Sequence, residues 1–282
     1  MFNICRNLTI ALAILAGTMV QPASAQVPAS SIGIIVMHGK GGSPEKFIGG
    51  LVSALRSKGY LVANPDMPWS RQRNYDTDMP GTEKEVEAAL ASLRARGAMK
   101  VFVAGHSQGG LFALYFGDRH PVDGIIAIAP GGNVDSPAFR DKLGETVNQA
   151  RDLVTAGKGD RKTSLLDYEG SKGTYALVTT PAIYLSWFDP EGGMNETSAV
   201  KHMNPDTPVL FIGPNGDYPG LLASREAMFS ALPKHPLTRL YEPDSDHQNA
   251  PSDSIDEIAD WVTEVANAQV NARQGAAATG AP

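Results

Sequence analysis

The stretch VFVAGHSQGG, Val101 to Gly110, decides how the rest of the chain is read. The run Val101-Phe102-Val103-Ala104 has the length and apolar character of a short buried strand, and from Gln108 to Arg119 the apolar residues continue at helical length. Ser107 therefore stands at a corner between a strand and a helix, with Gly105 and Gly109 two residues to either side. A serine hydroxyl is a poor nucleophile at neutral pH, so an enzyme that uses one must present it on a rigid, exposed turn beside a base. Glycines flanking such a corner let strand and helix approach closely. G-x-S-x-G alone is a weak pattern; a strand before it and a helix after it make it a strong one. The competing account is a glycine-rich turn with an incidental serine.

Outward from that corner, short apolar runs alternate with longer amphipathic stretches, the signature of βαβ units around a parallel sheet. The pattern predicts strands at 32–37, 60–64, 100–104, 124–129, 209–213 and 238–242, with helices at 44–58, 82–96, 108–119, 218–232 and 252–266. Between 82 and 96, Val86, Ala89, Leu90 and Leu93 fall on one helical face. Ile34-Ile35-Val36-Met37 reads as a continuous apolar run, as a parallel strand buried on both faces should. The expected fold class is α/β: a three-layer α/β/α sandwich on a mostly parallel sheet of about six strands. The alternation breaks once, at 131–206, far beyond the ~2–6 residues usual for such a connection, and this is read as a cap insertion. Within it 136–156 looks helical, 158–172 is polar, and 175–188 is apolar and aromatic. The main domain is expected over 26–266, and 267–282, rich in Ala, Gly and Gln without apolar periodicity, is read as a disordered tail.

Residues 1–25 read as an export signal: Arg6, an apolar stretch from Leu8 to Val20, then an Ala-Ser-Ala ending with cleavage expected after Ala25. That apolar stretch is shorter than the roughly 20 residues a membrane-spanning helix needs. The only cysteine, Cys5, lies inside the signal, so the exported chain is expected to carry neither disulfides nor thiol chemistry. The formal charge of −6 would become −7 on loss of Arg6, with acids and bases interspersed. That balance argues against nucleic-acid binding, which wants a basic stripe. No stable membrane insertion is expected. Localisation is expected to be periplasmic or secreted, as a monomer or small homo-oligomer.

Five stretches occur in an order that resembles the α/β-hydrolase superfamily, closest in flavour to compact serine esterases, lipases and serine aminopeptidase-like hydrolases. They are HGKGGS at 38–43, NPDMP at 64–68, GHSQGG at 105–110, GPNGD at 213–217 and SDH at 245–247. The resemblance covers nearly all of the chain after residue 25 and implies a serine nucleophile, an acid after a later strand and a histidine after the last one. Carried over by position, these are Ser107, Asp217 and His247. His247 would take the Ser107 proton and return it to the leaving group, while Asp217 would fix the imidazole tautomer. Asp244 and Asp246 are rivals for the acid, set too near His247 in sequence to reach its far nitrogen easily. Donors for the developing oxyanion are expected from the backbone N–H groups of Gln108 and Lys40, with Gly41 as the alternative to Lys40. One departure stands out: only 26–31 precede the first strand, where larger members have further strands, so the sheet should be short and all parallel.

Other residues carry milder readings. His38 and His106 are assigned packing or hydrogen-bonding roles, and His120, His202 and His235 lack partners at metal-ligand spacing and are read as surface residues. His202, in the insertion, could also touch substrate. Tyr184, Trp187 and Phe188 could line an acyl pocket or pack the insertion down; Trp69 and Arg71 could touch a substrate but are read rather as part of a solvated loop; Met194 and Met203 fill gaps. The function implied is hydrolysis of a small-molecule acyl substrate, a carboxylic ester of small or medium size, through an acyl-enzyme intermediate without metal or cofactor. The alternatives are a thioesterase, a peptidase or amidase, or a non-catalytic hydrolase-like binding protein.

Overall fold

The computed structural model describes residues 26–170 and 172–279, and the export-signal reading of 1–25 lies outside it. Along the chain, β1 (Ile32–Met37), α1 (Gly49–Ser57), β2 (Leu61–Ala63), α2 (Met79–Ala95), β3 (Lys100–His106), α3 (Gln108–Arg119) and β4 (Gly124–Ile128) form the first half. The insertion follows, with α4 (Pro137–Thr155), β5 (Thr163–Glu169), β6 (Gly173–Thr179), α5 (Pro181–Phe188) and α6 (Glu196–His202). The second half is β7 (Val209–Ile212), α7 (Pro219–Ala231), β8 (Arg239–Tyr241), α8 (Ala250–Asp253) and α9 (Ile255–Thr279).

Six strands make one sheet in the order β2-β1-β3-β4-β7-β8, and every pairing in it is parallel. Alternate residues of the central strands feed two cores. Val101 and Val103 of β3 join the one that holds α2, α3 and the insertion. Phe102 and Ala104 join the other, with Leu51 of α1 and Trp261 of α9. A sheet covered on both faces has no polar side to present, which is why these strands read as unbroken apolar runs.

Two sequence readings need correction. The sequence predicts no strand in the insertion, yet its polar stretch holds β5 and its apolar stretch begins within β6, the two paired as an antiparallel hairpin. Only Leu165 and Leu177 of that hairpin are deeply buried apolar residues, so it announces itself weakly in the sequence. The region read as a disordered tail continues α9 as far as Thr279. Alanine and glutamine favour helix without needing an apolar face, and the extension is tied down by polar contacts. Asn267 Oδ1 accepts from Val27 N–H at 2.7 Å, and Gln269 Nε2 donates to Asp123 O at 2.9 Å.

Candidate active site

Ser107 takes φ 55° and ψ −119° between β3 and α3, a left-handed conformation forced by the turn. Its N–H donates to Ile128 O at 2.9 Å, and its carbonyl accepts from Gly110, Leu111 and Gly131, so the strained residue is held from β4, from the loop that follows β4 and from α3. The glycines are steric requirements: a Cβ on Gly105 would lie 2.0 Å from Gly109 O, and one on Gly109 would lie 2.6 Å from Met37 O. The serine is half-buried and opens onto a cavity of about 910 Å³ under the insertion.

Asp217 and His247 come from the loops after β7 and β8, 30 residues apart in sequence. Neighbouring parallel strands set those loops side by side, and backbone bonds continue the alignment past the strand ends. Asn215 N–H donates to Pro243 O at 3.0 Å and Gly216 N–H to Ser245 O at 2.9 Å. His247 Nδ1 then meets Asp217 Oδ1 at 2.7 Å, with both residues 8% exposed. A proton on Nδ1 donated to the carboxylate leaves Nε2 as the basic nitrogen. Asp217 Oδ1 is itself fixed by the Tyr218 N–H at 2.7 Å, and the Tyr218 ring packs on His247 at 4.6 Å. Ser107 and His247 line the same cavity, without a hydrogen bond between their side chains in this conformation. Such contacts often tighten only when substrate is bound.

Asp246, one of the two rival acids, is occupied elsewhere: it accepts the N–H groups of Gln248 and Asn249 at 2.9 and 2.8 Å. Those bonds hold its carboxyl below the usual range. His106 lies under the histidine, its Nε2 2.7 Å from His247 O, and burial together with the neighbouring His247 lowers it to about 3. A neutral His106 with its proton on Nε2 thus holds the His247 backbone. His38 is also buried; its Nε2 accepts from Met67 N–H at 3.0 Å and burial lowers its pKa.

At the oxyanion end, Gln108 is the first residue of α3, where backbone N–H groups lack intrahelical acceptors and the helix dipole is positive. Gly41 N–H is already given to Trp69 O at 2.8 Å, which leaves Lys40 of the two residues weighed in that loop. Lys40 lines the cavity, while its Nζ turns into the insertion and meets Asp167 Oδ1 at 2.6 Å.

The cavity wall is built largely from residues the sequence did not single out, among them Phe47, Phe139, Tyr168, Tyr218, Leu221 and Met228. Tyr184, Trp187 and Phe188 are packing residues, each no more than 4% exposed, and none lines the cavity. Trp69, read as part of a solvated loop, is 1% exposed; its Nε1 donates to His38 O at 2.7 Å and its ring meets Phe112 and Trp187. Met194 and Met203 are buried in the same core. His120, read as a surface residue, stacks on Phe116 at 4.2 Å with Nε2 2.7 Å from Glu83. His202 is exposed and bonds Ser198 O within its own helix. Among the described residues no group of three or more His, Cys, Asp or Glu is placed to hold a metal, and no helix is long and apolar enough to cross a membrane.

These features define an α/β-hydrolase fold, and comparison with known proteins gives the same class. The family described as alpha/beta hydrolase fold matches residues 34–153, and the chain has that fold. One similar solved structure is that of metagenome-derived lipolytic enzymes, with 18% identity and TM-score 0.58 over 86% of this chain and 98% of that one. A monoacylglycerol lipase from Paleococcus ferrophilus is similar at 19% identity and TM-score 0.59, over 83% of this chain and 94% of that one. Est1E from Butyrivibrio proteoclasticus is similar at 17% identity and TM-score 0.56, over 86% and 90%. No curated protein sequence matches the chain.

Proposed function

We propose that the protein is a serine hydrolase that cleaves carboxylic esters of small or medium size through an acyl-enzyme intermediate. The observation that carries this reading is the 2.7 Å contact of Asp217 with His247 at the wall of the cavity onto which Ser107 opens. His247 Nε2 takes the Ser107 proton as Oγ attacks the ester carbonyl, and Asp217 stabilises the imidazolium that forms. The backbone N–H groups of Lys40 and Gln108 receive the negative charge of the tetrahedral intermediate; one such donor is worth roughly 3 kcal/mol by the effect of its removal. His247 then protonates the departing alcohol, and water, activated by the same nitrogen, releases the acyl group and regenerates Ser107. Two things support the ester: the likeness in fold to lipolytic enzymes and a monoacylglycerol lipase, and a cavity of about 910 Å³, the size of small-molecule sites.

The test is turnover of p-nitrophenyl acetate, butyrate, octanoate and palmitate by the purified protein. The reading expects a maximum at butyrate or octanoate; hydrolysis of none of the four, with no reaction toward a fluorophosphonate, would refute it. Residues 1–25 support export, with the protein working in the periplasm or outside the cell. N-terminal sequencing of protein recovered from a cell envelope fraction should begin at Gln26.

A further inference from the structure

Among the described residues the cavity wall carries several carboxylate, lysine and histidine side chains, and all but one have partners. Lys40 is paired with Asp167, Asp135 with Arg140, Glu169 with Lys172 and His247 with Asp217, while His106 is bonded to the His247 backbone. The exception is Glu196, the first residue of α6. It is 2% exposed, and its carboxyl makes no hydrogen bond or ion pair among the described residues. Its backbone is anchored, the N–H donating to Asn133 Oδ1 at 3.1 Å, so the side chain is held at the wall. Leu221 and Met228 of α7 line the cavity beside it, and Leu221 packs close to Gly131, where an added Cβ would stand 3.6 Å from Ser107 Oγ.

A carboxyl so nearly buried, with no protein group to bond, is left to whatever enters the cavity, so its presence on a wall that Ser107 also lines calls for a ligand that satisfies it. Burial raises the carboxyl to about 8, which keeps it protonated at neutral pH, able to donate one hydrogen bond and accept another. Asp217 and Arg225 also face it across a small adjoining void, and neither makes a hydrogen bond to it.

We propose that Glu196 is a specificity-determining residue that binds a hydroxyl group carried by the ester, so that the preferred substrate is hydroxyl-bearing rather than purely hydrocarbon on the side that reaches α7. This rests on the serine-hydrolase reading for the reaction, but the binding step is separable from it. A hydroxyl matches a protonated carboxyl in both directions, donor to acceptor and acceptor to donor. A site built to bond a hydroxyl rejects the analogue that lacks one, because its own polar group is then left buried and unpaired.

The test has two kinetic arms. In the first, p-nitrophenyl 3-hydroxybutyrate and 6-hydroxyhexanoate are compared with the butyrate and hexanoate. In the second, 2-hydroxyethyl and 4-hydroxybutyl butyrate are compared with ethyl and butyl butyrate. The wild type should favour the hydroxyl-bearing ester in one arm by roughly tenfold or more in kcat/KM, and which arm responds assigns the hydroxyl to the acyl or the alcohol part. Glu196→Leu should bring that ratio close to one, and Glu196→Gln, which keeps a donor and an acceptor, should retain most of it. Calorimetric binding of the favoured ester to Ser107→Ala, with and without Glu196→Leu, reads recognition without chemistry and should show the same loss of affinity. No preference in either arm, or a preference that survives Glu196→Leu, would overturn the proposal. Absence of turnover with hydroxyl-dependent binding intact would refute the serine-hydrolase reading instead.

Discussion

Lys40 Nζ lies 2.6 Å from Asp167 Oδ1, an ion pair that joins the loop after β1 to the hairpin of the insertion, with the side chains 9% and 0% exposed. Asp167 also accepts from the Tyr175 hydroxyl at 2.8 Å and from the Tyr168 N–H at 2.6 Å. Lys40 Nζ in turn reaches Tyr168 O at 3.1 Å and lies 5.3 Å from the Phe139 and Phe188 rings. The residue whose backbone is proposed to receive the oxyanion is thus the one whose side chain fastens the cap, so cap position and oxyanion geometry are mechanically linked.

Breaking that pair from one side should be costly. Lys40→Met leaves Asp167 charged and buried, a change worth about 3–5 kcal/mol when one partner of a buried pair is removed. Chemical denaturation should show that loss, with kcat/KM for a p-nitrophenyl ester down at least tenfold. Asp167→Asn added to Lys40→Met should recover most of the stability, because the uncompensated charge is gone. Equal stability of Lys40→Met and the wild type would show that the contact does not hold the cap.

The acid can be assigned by paired substitutions. Asp217→Asn keeps the shape of the site but disfavours the tautomer with its proton on Nδ1, and should lower kcat on the order of 10³ to 10⁴-fold. Asp246→Asn, whose partners are Gln248 and Asn249, should stay within about threefold of wild type; it loses acceptor strength in a surface turn and nothing at His247. The reverse ranking would move the acid to Asp246.

Two buried groups give the stability a pH dependence of opposite signs. His106 is lowered to about 3 by burial and by His247. As pH falls below the ordinary histidine value of about 6.5, the unfolded chain takes up a proton that the folded one refuses, and stability is lost toward acid. Glu196 is raised by burial to about 8 from 4.5, so as pH rises through that window the unfolded chain releases a proton that the folded one keeps, and stability is lost toward alkali. Urea unfolding between pH 5 and 8 should show both limbs. His106→Gln should shrink the loss between pH 7 and 5 by about 2 kcal/mol, and Glu196→Gln should flatten the alkaline limb. Unchanged profiles in both variants would contradict these assignments.

What the sequence disclosed followed from how local its signals are. The central strands are covered on both faces, so 32–37 and 100–104 were legible as continuous apolar runs, and the serine corner was legible because its glycine spacing lies within five residues, although Gly109 itself is demanded by Met37 and His38 at the end of the neighbouring strand. The hairpin was not, since Thr163–Glu169 and Gly173–Thr179 bury few apolar side chains and are held by their mutual ladder and by Asp167. The extension of α9 was missed because its anchors are Val27 and Asp123, both remote in sequence. Trp69 was misread because a polar neighbourhood in sequence, Ser70-Arg71-Gln72-Arg73, conceals a ring that points into the core. Glu196 carried no motif at all; only its burial, its missing partner and its place on the cavity wall single it out.

The central claim is that Ser107 forms the acyl-enzyme, and the most direct measurement is covalent labelling of the purified protein by a fluorophosphonate, located by peptide mass spectrometry, alongside p-nitrophenyl butyrate turnover. One phosphonyl group on the peptide that contains Ser107 is expected, with labelling and turnover both lost in Ser107→Ala. Label on another residue, or turnover retained by Ser107→Ala, would contradict the account.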